Sequence, residues 1–281
     1  MSAIGILYHP AIPDSAHLAE SAAELLRQHG ILAWRGHADD EEGLRAAAPG
    51  LEFIITLGGD GTIVRTVRAV AGYDVAILGV NLGRLGFLAE AEPERLEAAI
   101  GRLLAGDYII EQRMMAHVQL WRGEVVLLET DAINDVVVAR GVASRVVHVS
   151  VEVDGHHVMT PAADGVIVST PTGSTAYCLA AGGPIVAPDL PCFTITPIAA
   201  HLGIAHAIVI PSQRCLCLRL VRGKGAMLTV DGQIDVPLEL GDRVCHSASH
   251  ATAKFVRFGG DGYFYETVLQ RLKWPDRHPS V

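Results

Sequence analysis

The chain has 281 residues, 22 Lys and Arg against 31 Asp and Glu, and a net charge of −9 with histidine neutral. That acidic balance, without a long basic run, argues against a surface that tracks nucleic-acid phosphates, which needs clustered Lys and Arg. Half the residues are hydrophobic, yet every apolar stretch stops well short of a membrane span, so neither a nucleic-acid nor a membrane partner is expected.

Met1-Ser2-Ala3 leads straight into the strand-like Ile4–Tyr8, so no signal peptide and a cytoplasmic location are expected. Ser15–Gln28 has helical spacing, with Leu18, Ala22, Leu25 and Leu26 on one face and Gly30 as its stop. Further strands are expected at Ile31–Trp34, Leu51–Leu57 and Val75–Val80, and a helix at Glu94–Leu104 between Pro93 and Gly106. This alternation predicts a parallel, doubly wound α/β sheet with its ligand site at the carboxyl ends of the strands.

After about residue 110 the pattern changes. Short β-type runs follow at Val118–Trp121, Val125–Leu128, Val136–Ala139, Val146–Val153 and Val166–Ser169. Thr194–Ile198, Ala207–Ile210, Leu216–Val221, Met227–Val230, Arg243–His246 and Lys254–Phe258 continue the series. Trp121–Glu124 and Asp154-Gly155 carry hairpin signals. An antiparallel β-rich C-terminal domain is therefore expected, with a last helix at Tyr263–Trp274 packing back on the first domain. The expected boundaries are 1–110, rejoined by 259–281, and 111–258.

The five cysteines show no Cys-x-x-Cys spacing. Cys215 and Cys217 alternate with leucines, so they read as small core residues on one face rather than metal ligands or a disulfide. His156-His157 reads as a solvated hairpin, and His201 lies in a Gly- and Ala-rich loop that could line a pocket.

Gly58-Gly59-Asp60-Gly61-Thr62, directly after the apolar run Phe53–Leu57, is the most informative segment. Its glycines permit a tight turn and a close approach of ligand to backbone N–H groups. The helical spacing of Ile63, Val64, Val67 and Val70 follows it, so the loop opens a helix whose positive end favours anions. Asp60 would hold Mg²⁺ on a nucleotide or take a proton from a substrate hydroxyl; the alternative is a plain turn with Asp60 as an N-cap. The segment is neither a P-loop nor a Gly-x-Gly-x-x-Gly fingerprint. Thr170–Tyr177 packs four Ser/Thr hydroxyls and Gly173 into a turn before the helix-like Ala176–Ala181. This is a candidate cradle for ribose and phosphate oxygens, or else an ordinary turn with capping hydroxyls. Asn134-Asp135, an amide beside a carboxylate, can read adenine or a ribose diol.

The order GGDGT, Asn81–Leu88, Asn134–Val137, Asp164–Tyr177 and Asp231-Gly232-Gln233 closely resembles the NAD kinase family, from roughly residue 2 to residue 274. GGDGT alone is shared with phosphofructokinases and lipid kinases; the Asp164–Tyr177 block is the specific part. The resemblance implies transfer of a phosphoryl group from ATP, or from polyphosphate in some members, to the adenosine 2′-hydroxyl of NAD, with a divalent cation, Mg²⁺ being expected. It implies that Gly58, Gly59, Gly61 and Thr62 form the phosphate loop and that Asp60 accepts the proton or organises the metal. Arg65 and Arg145 would touch phosphate, and Asn134 and Asp135 the adenosine portion. Thr175, Ala176, Tyr177, Cys178, Leu179 and Ala180 would wrap adenine and ribose, with Tyr177 stacking. Asp164 would hold one end of a ligand, in many members a neighbouring subunit's, Gln233 would close the pocket, and Ala162 and Ala199 complete the set. A homodimer or homotetramer is implied as well.

Three positions depart from the family pattern. Asp135 stands where many relatives have Glu, and Ala162 where some have an Arg that disfavours NADH. Cys178 and Ala180 replace common serines. The rival readings are a lipid or sugar kinase of the wider GGDGT group, which leaves Asp164–Tyr177 unexplained, and a non-catalytic dinucleotide-binding regulator.

Overall fold

A computed structural model describes residues 3–83, 86–141, 146–200, 206–260 and 262–272. The chain divides into two units, one running to Glu111 and resuming at Lys254, the other spanning Gln112–Ala253. Arg145 and His201 lie outside the described residues.

In the first unit strands and helices alternate: β1 (Ile4–Tyr8), α1 (Ser15–Gln28), β2 (Trp34–His37), α2 (Glu41–Ala47), β3 (Phe53–Gly58), α3 (Asp60–Ala69), β4 (Ala76–Asn81) and α4 (Leu96–Ala105). The strands pair in parallel in the order β2-β1-β3-β4. Strand order reverses between β1 and β3, and α/β sheets bind ligands outside the carboxyl ends at such a reversal. Every residue of β4 is buried, and all but the first of β3, as befits strands covered on both faces. Ala19, Ala22 and Leu26 of α1 pack with Ile100 and Leu103 of α4 and Ile4, Ile6, Ile55 and Leu78 of the sheet.

The second strand is displaced from its expected place at Ile31–Trp34. Pairing sets Trp34 opposite Gly5 and His37 opposite Tyr8, and Leu32 is exposed. An edge strand tolerates the exposed Arg35 and His37, so hydrophobicity does not mark it. A further helix, α2, lies beyond the elements expected from the sequence; Asp40 caps it, accepting the Gly43 N–H at 2.9 Å.

From β5 onward strands dominate: β5 (Ile109–Arg122), β6 (Val125–Ala132), β7 (Asp135–Arg140), β8 (Val147–Val153), β9 (His156–Met159), β10 (Ala162–Ala163) and β11 (Gly165–Ser169). The one-turn α5 (Tyr177–Ala180) precedes β12 (Cys192–Ile198), β13 (Ile208–Pro211), β14 (Leu216–Arg222), β15 (Ala226–Val230), β16 (Ile234–Leu238) and β17 (Arg243–Arg257). One sheet is wholly antiparallel, in the order β13-β12-β11-β7-β15-β16. Facing it are β8 and β14, paired antiparallel, with the hairpin β5–β6. The main core is drawn from both layers, with Val136, Val166, Phe193 and Leu228 meeting Val118, Val149 and Leu218. Asp154 (φ 49°) and Gly155 (φ 78°) make the left-handed pair that a tight hairpin requires, and His156 and His157 after them are exposed.

Two expected boundaries fall inside longer strands. Arg243–His246 and Lys254–Phe258 belong largely to the single strand β17, whose middle carries small exposed residues. Val118–Trp121 falls within the 14-residue β5, whose buried residues begin at Arg113 and include Met115, Ala116, Val118 and Leu120. The cysteine reading is also corrected. Cys215 lies outside β14 and is exposed, while Leu216, Leu218 and Leu220 supply the core face. Cys217 sits directly opposite Cys245 in the β14–β17 register, Cα atoms 4.1 Å apart, and the two form a disulfide.

Helix α6 (Tyr263–Leu272) packs on the first unit, as expected, with the Tyr263 hydroxyl donating to Ala89 O at 2.8 Å. Residues 273–274 of the expected helix lie outside the described residues. Among the described residues no helix is long and apolar enough to cross a membrane.

Candidate functional site

The first group of residues lies where β3 gives way to α3. Gly59 is the N-cap residue, in extended conformation, and Asp60 is the first helical residue. Its carboxylate does not cap the helix. Oδ2 accepts the Phe87 N–H at 2.6 Å and Oδ1 the Leu88 N–H at 3.1 Å. A Cβ at position 86 would collide with this carboxylate, so Gly86 is what lets the backbone close on it. Asp60 is therefore not the N-cap of α3. An ionised carboxylate offers about four lone-pair directions, so Asp60 keeps acceptor capacity for a substrate proton or a cation.

Residues 87–90 are themselves fixed from the other side. Arg257, 2% exposed, donates from Nη1 to Leu88 O at 2.9 Å and to Glu90 at 3.2 Å, and from Nε to Glu111 at 2.7 Å. Glu90 also accepts the Phe258 N–H at 2.8 Å. These bonds tie residues 88–90 to the C-terminal segment 257–263. Nothing in the sequence marks Glu90, Arg257 or Tyr263 as part of this frame. Arg65, expected to touch phosphate, is instead paired with Asp39.

The second group assembles at one edge of the antiparallel sheet. β7 begins at Asp135, opposite the last residue of β11, Ser169, while Val230 ends β15 beside Val136. Segments far apart in sequence thus meet. Asp231, left-handed at φ 52°, accepts the N–H groups of Ile133, Asn134 and Asp135 at 3.0, 2.8 and 3.1 Å. Asn134 O accepts the Thr170 N–H at 2.9 Å, and a Cβ at Gly173 would overlap the Asn134 backbone. With its backbone so held, Asn134 presents an amide that forms no hydrogen bond among the described residues. Asp135 is buried, and burial, reinforced by the charge of Asp231, pushes its carboxyl pKa up to about 7.

The Ser/Thr-rich turn differs from its expected form. It is a 3₁₀ turn over Thr172–Thr175 followed by the single turn of α5. Its hydroxyls mostly brace backbone: Ser174 Oγ donates to Pro171 O at 2.6 Å and accepts from Val186 N at 3.0 Å, and Thr175 Oγ1 donates to Thr172 O at 3.2 Å. Thr170 Oγ1 is bonded to Ile133 O. Thr172 Oγ1 alone is buried without a partner among the described residues. Cys178 is wholly buried against Val137 and Ile167, its Sγ 3.4 Å from Thr196 Oγ1, and so anchors α5 to the sheet. That leaves Tyr177, 46% exposed, as the accessible ring, with Ala180 exposed beside it.

Asp164 is paired with Arg140 at 2.8 Å. Ala162 is half-buried in β10, Ala199 follows β12 at φ 45°, and Gln233 lies in the β15–β16 turn, its N–H on Val230 O. Among the described residues no three His, Cys, Asp or Glu side chains converge as a metal cage. Mg²⁺ commonly sits on substrate phosphates with one or two carboxylates, and Asp60 fits that lesser demand.

A family model described as the ATP-NAD kinase N-terminal domain matches residues 9–108, and one described as the ATP-NAD kinase C-terminal domain matches residues 133–258. An NAD kinase from Dehalococcoides mccartyi is 37% identical over 271 residues, 96% of this chain and 95% of its own. One from Geobacter metallireducens is 40% identical over 228 residues, 80% of each chain. Among solved structures, an NAD kinase from Archaeoglobus fulgidus in complex with ATP matches with a TM-score of 0.74 at 26% identity, covering 94% of this chain and 96% of that one. Yeast NADH kinase complexed with NADH shares the fold, with a TM-score of 0.84 at 21% identity and coverage of 100% and 90%. Matched in both halves and along nearly its whole length, the chain belongs to the NAD kinase family.

Proposed function

We propose that this chain phosphorylates the adenosine 2′-hydroxyl of NAD, giving NADP, with ATP or another phosphoryl donor. The observation that carries the reading is the Asp60 carboxylate, held by two backbone N–H groups at the carboxyl end of β3 with acceptor capacity to spare. Asp60 accepts the 2′-hydroxyl proton as the new P–O bond forms and the bond from the transferred phosphorus to the donor's bridging oxygen breaks, releasing ADP or the shortened polyphosphate. Phosphoryl transfer asks for alignment and charge neutralisation more than covalent help, and the small residues Gly58, Gly59, Gly61 and Thr62 admit phosphate to the backbone. Asp60 would be the protein ligand of a divalent cation, Mg²⁺, carried on the donor phosphates, and the ion would supply charge neutralisation there.

Asn134 and Asp135 bind the adenosine portion, and Tyr177 stacks, with Thr175, Ala176, Leu179 and Ala180 around the ring. Cys178 contributes through the packing of α5 rather than by contact. Gly61, Ala162, Asp164, Ala199 and Gln233 complete the dinucleotide contacts. Segments 1–110 and 259–281 serve the donor, and 111–258 serves NAD. The match to a kinase holding ATP supports the donor class, and the match in both halves disfavours a lipid or sugar kinase. A cytoplasmic homodimer or homotetramer is part of the proposal; light scattering on the active enzyme tests it, and an active species with the mass of one chain overturns an obligatory assembly. The deciding assay crosses NAD and NADH with ATP and polyphosphate and reads product with an NADP-specific dehydrogenase. No product in any combination refutes the function.

A further inference from the structure

Helix α6 carries a cation that the reading above leaves without a task. The guanidinium carbon of Arg271 lies 5.1 Å from the centre of the Phe87 ring, on the residue whose N–H holds Asp60. Its Nε and Nη1 are sealed from solvent and hydrogen-bond to nothing among the described residues. The other arginines around this frame are ion-paired, Arg257 with Glu111 and Glu90 and Arg102 with Asp107, although Arg257 Nη2 is also buried without a partner among the described residues; Arg271 alone has no such pairing. A guanidinium stays charged at physiological pH, and buried donors left unfilled are unfavourable unless a ligand fills them. Burial acts first on Arg271, lowering its pKa; Tyr263, Asp60 and Glu90 oppose that, while Arg257 adds to it. Phe87 is the geometric link between the two: its ring lies under the Arg271 guanidinium and its N–H is bonded to Asp60. The Phe87 ring supports the guanidinium without consuming a donor.

We propose that Arg271 is an anion subsite beside Asp60, whose unfilled N–H groups receive oxygens of the donor's terminal phosphate. The proposal rests on the reading of the chain as a kinase and adds to it the residue that neutralises the phosphoryl group in transfer. Charge on those oxygens is then balanced by a fixed guanidinium in a water-poor setting, where such contacts are strongest. A purely structural Arg271, holding α6 against residues 87–90, is the competing account.

The test uses the full chain with Arg271→Met, Arg271→Lys and, on the exposed side of the same helix, Leu269→Ala. Calorimetry measures inorganic tripolyphosphate, ATP and NAD binding, alongside steady-state turnover. Arg271→Met should weaken tripolyphosphate and ATP about tenfold or more and lower kcat about a hundredfold, as a lost charge contact does, with KM for NAD within about twofold. Arg271→Lys should recover part of the loss, and Leu269→Ala should change nothing. Unchanged tripolyphosphate binding in Arg271→Met overturns the proposal, as does a joint loss of NAD and tripolyphosphate binding with a lowered Tm. Tripolyphosphate binding that depends on Arg271 in a protein that makes no NADP sustains the subsite and refutes the NAD kinase reading. NADP formation that survives Arg271→Met intact refutes the subsite alone.

Discussion

Gly86→Ala isolates the geometry of Asp60 without touching its charge. Gly86 is not in the left-handed region, so alanine is acceptable to the backbone, but its Cβ would overlap the Asp60 carboxylate. Either residues 86–88 retreat or the carboxylate swings away, and the Arg257 and Tyr263 bonds to Leu88 O and Ala89 O resist the first. Hydrogen bonds to a charged acceptor contribute about 1.5–3 kcal/mol each, so losing both would release about 3–6 kcal/mol of restraint on the carboxylate. A reacting group misplaced by about 1 Å can cost about 10²-fold in rate. The expected outcome is a folded protein whose kcat falls about 10²-fold, approaching Asp60→Asn, which should lose about 10²- to 10⁴-fold as a missing general base. Because both changes act through one carboxylate, the double variant should lie within a few-fold of Asp60→Asn alone. The NADP-specific dehydrogenase assay measures all three. Near-normal turnover in folded Gly86→Ala, or multiplicative losses in the double variant, would refute the reasoning.

Asn134→Ala should mainly raise KM for NAD, by about tenfold, since it removes binding common to ground and transition states; a strong fall in kcat at constant KM would move the residue into the chemical step. Asp135, with its pKa raised to about 7, stays protonated in the fold where the unfolded chain ionises near the ordinary aspartate value of 3.8. Stability should therefore fall as pH rises from about 4 to about 7, and Asp135→Asn should gain Tm relative to the unsubstituted protein over that window. Identical pH profiles would remove the effect. The Cys217–Cys245 disulfide, 28 residues apart in sequence, corresponds in a chain-entropy model to about 3–4 kcal/mol. Oxidised protein unfolded without reductant should titrate three thiols and melt above the reduced form, whereas five thiols would mean that the bond does not form in solution.

Much of the molecule is legible in the sequence because its signals are local. β1, β3 and β4 are near-continuous apolar runs, and Gly30 and Gly106 end their helices at φ 76° and 72°. GGDGT and the Thr170–Tyr177 run announce themselves by composition. What stays hidden depends on pairing across the chain. The edge strand β2 is fixed by its register with β1 rather than by its own hydrophobicity. The disulfide follows from the antiparallel register that sets Cys217 against Cys245, which spacing along the chain does not encode. The hydroxyls of Thr170, Ser174 and Thr175 look like ligand contacts in a linear reading, yet folding turns them onto carbonyl groups.

The least legible part is the support of Asp60, and it explains why the chain returns to its first unit at the end. Phe87 and Leu88 lie in a stretch with few backbone pairs of its own, so a carboxylate bonded to their N–H groups would wander with them. The terminal segment removes that freedom. Arg257 takes Leu88 O and Glu90, the Phe258 N–H takes the second Glu90 oxygen, and the Tyr263 hydroxyl takes Ala89 O. Arg257 is 2% exposed, and removing one partner of a buried ion pair typically costs about 3–5 kcal/mol. The bond from Arg257 to Leu88 therefore cannot be relaxed cheaply. Residues nearly 200 positions after the GGDGT loop thus hold the backbone to which its aspartate is bonded, and nothing in the loop's own sequence points to them.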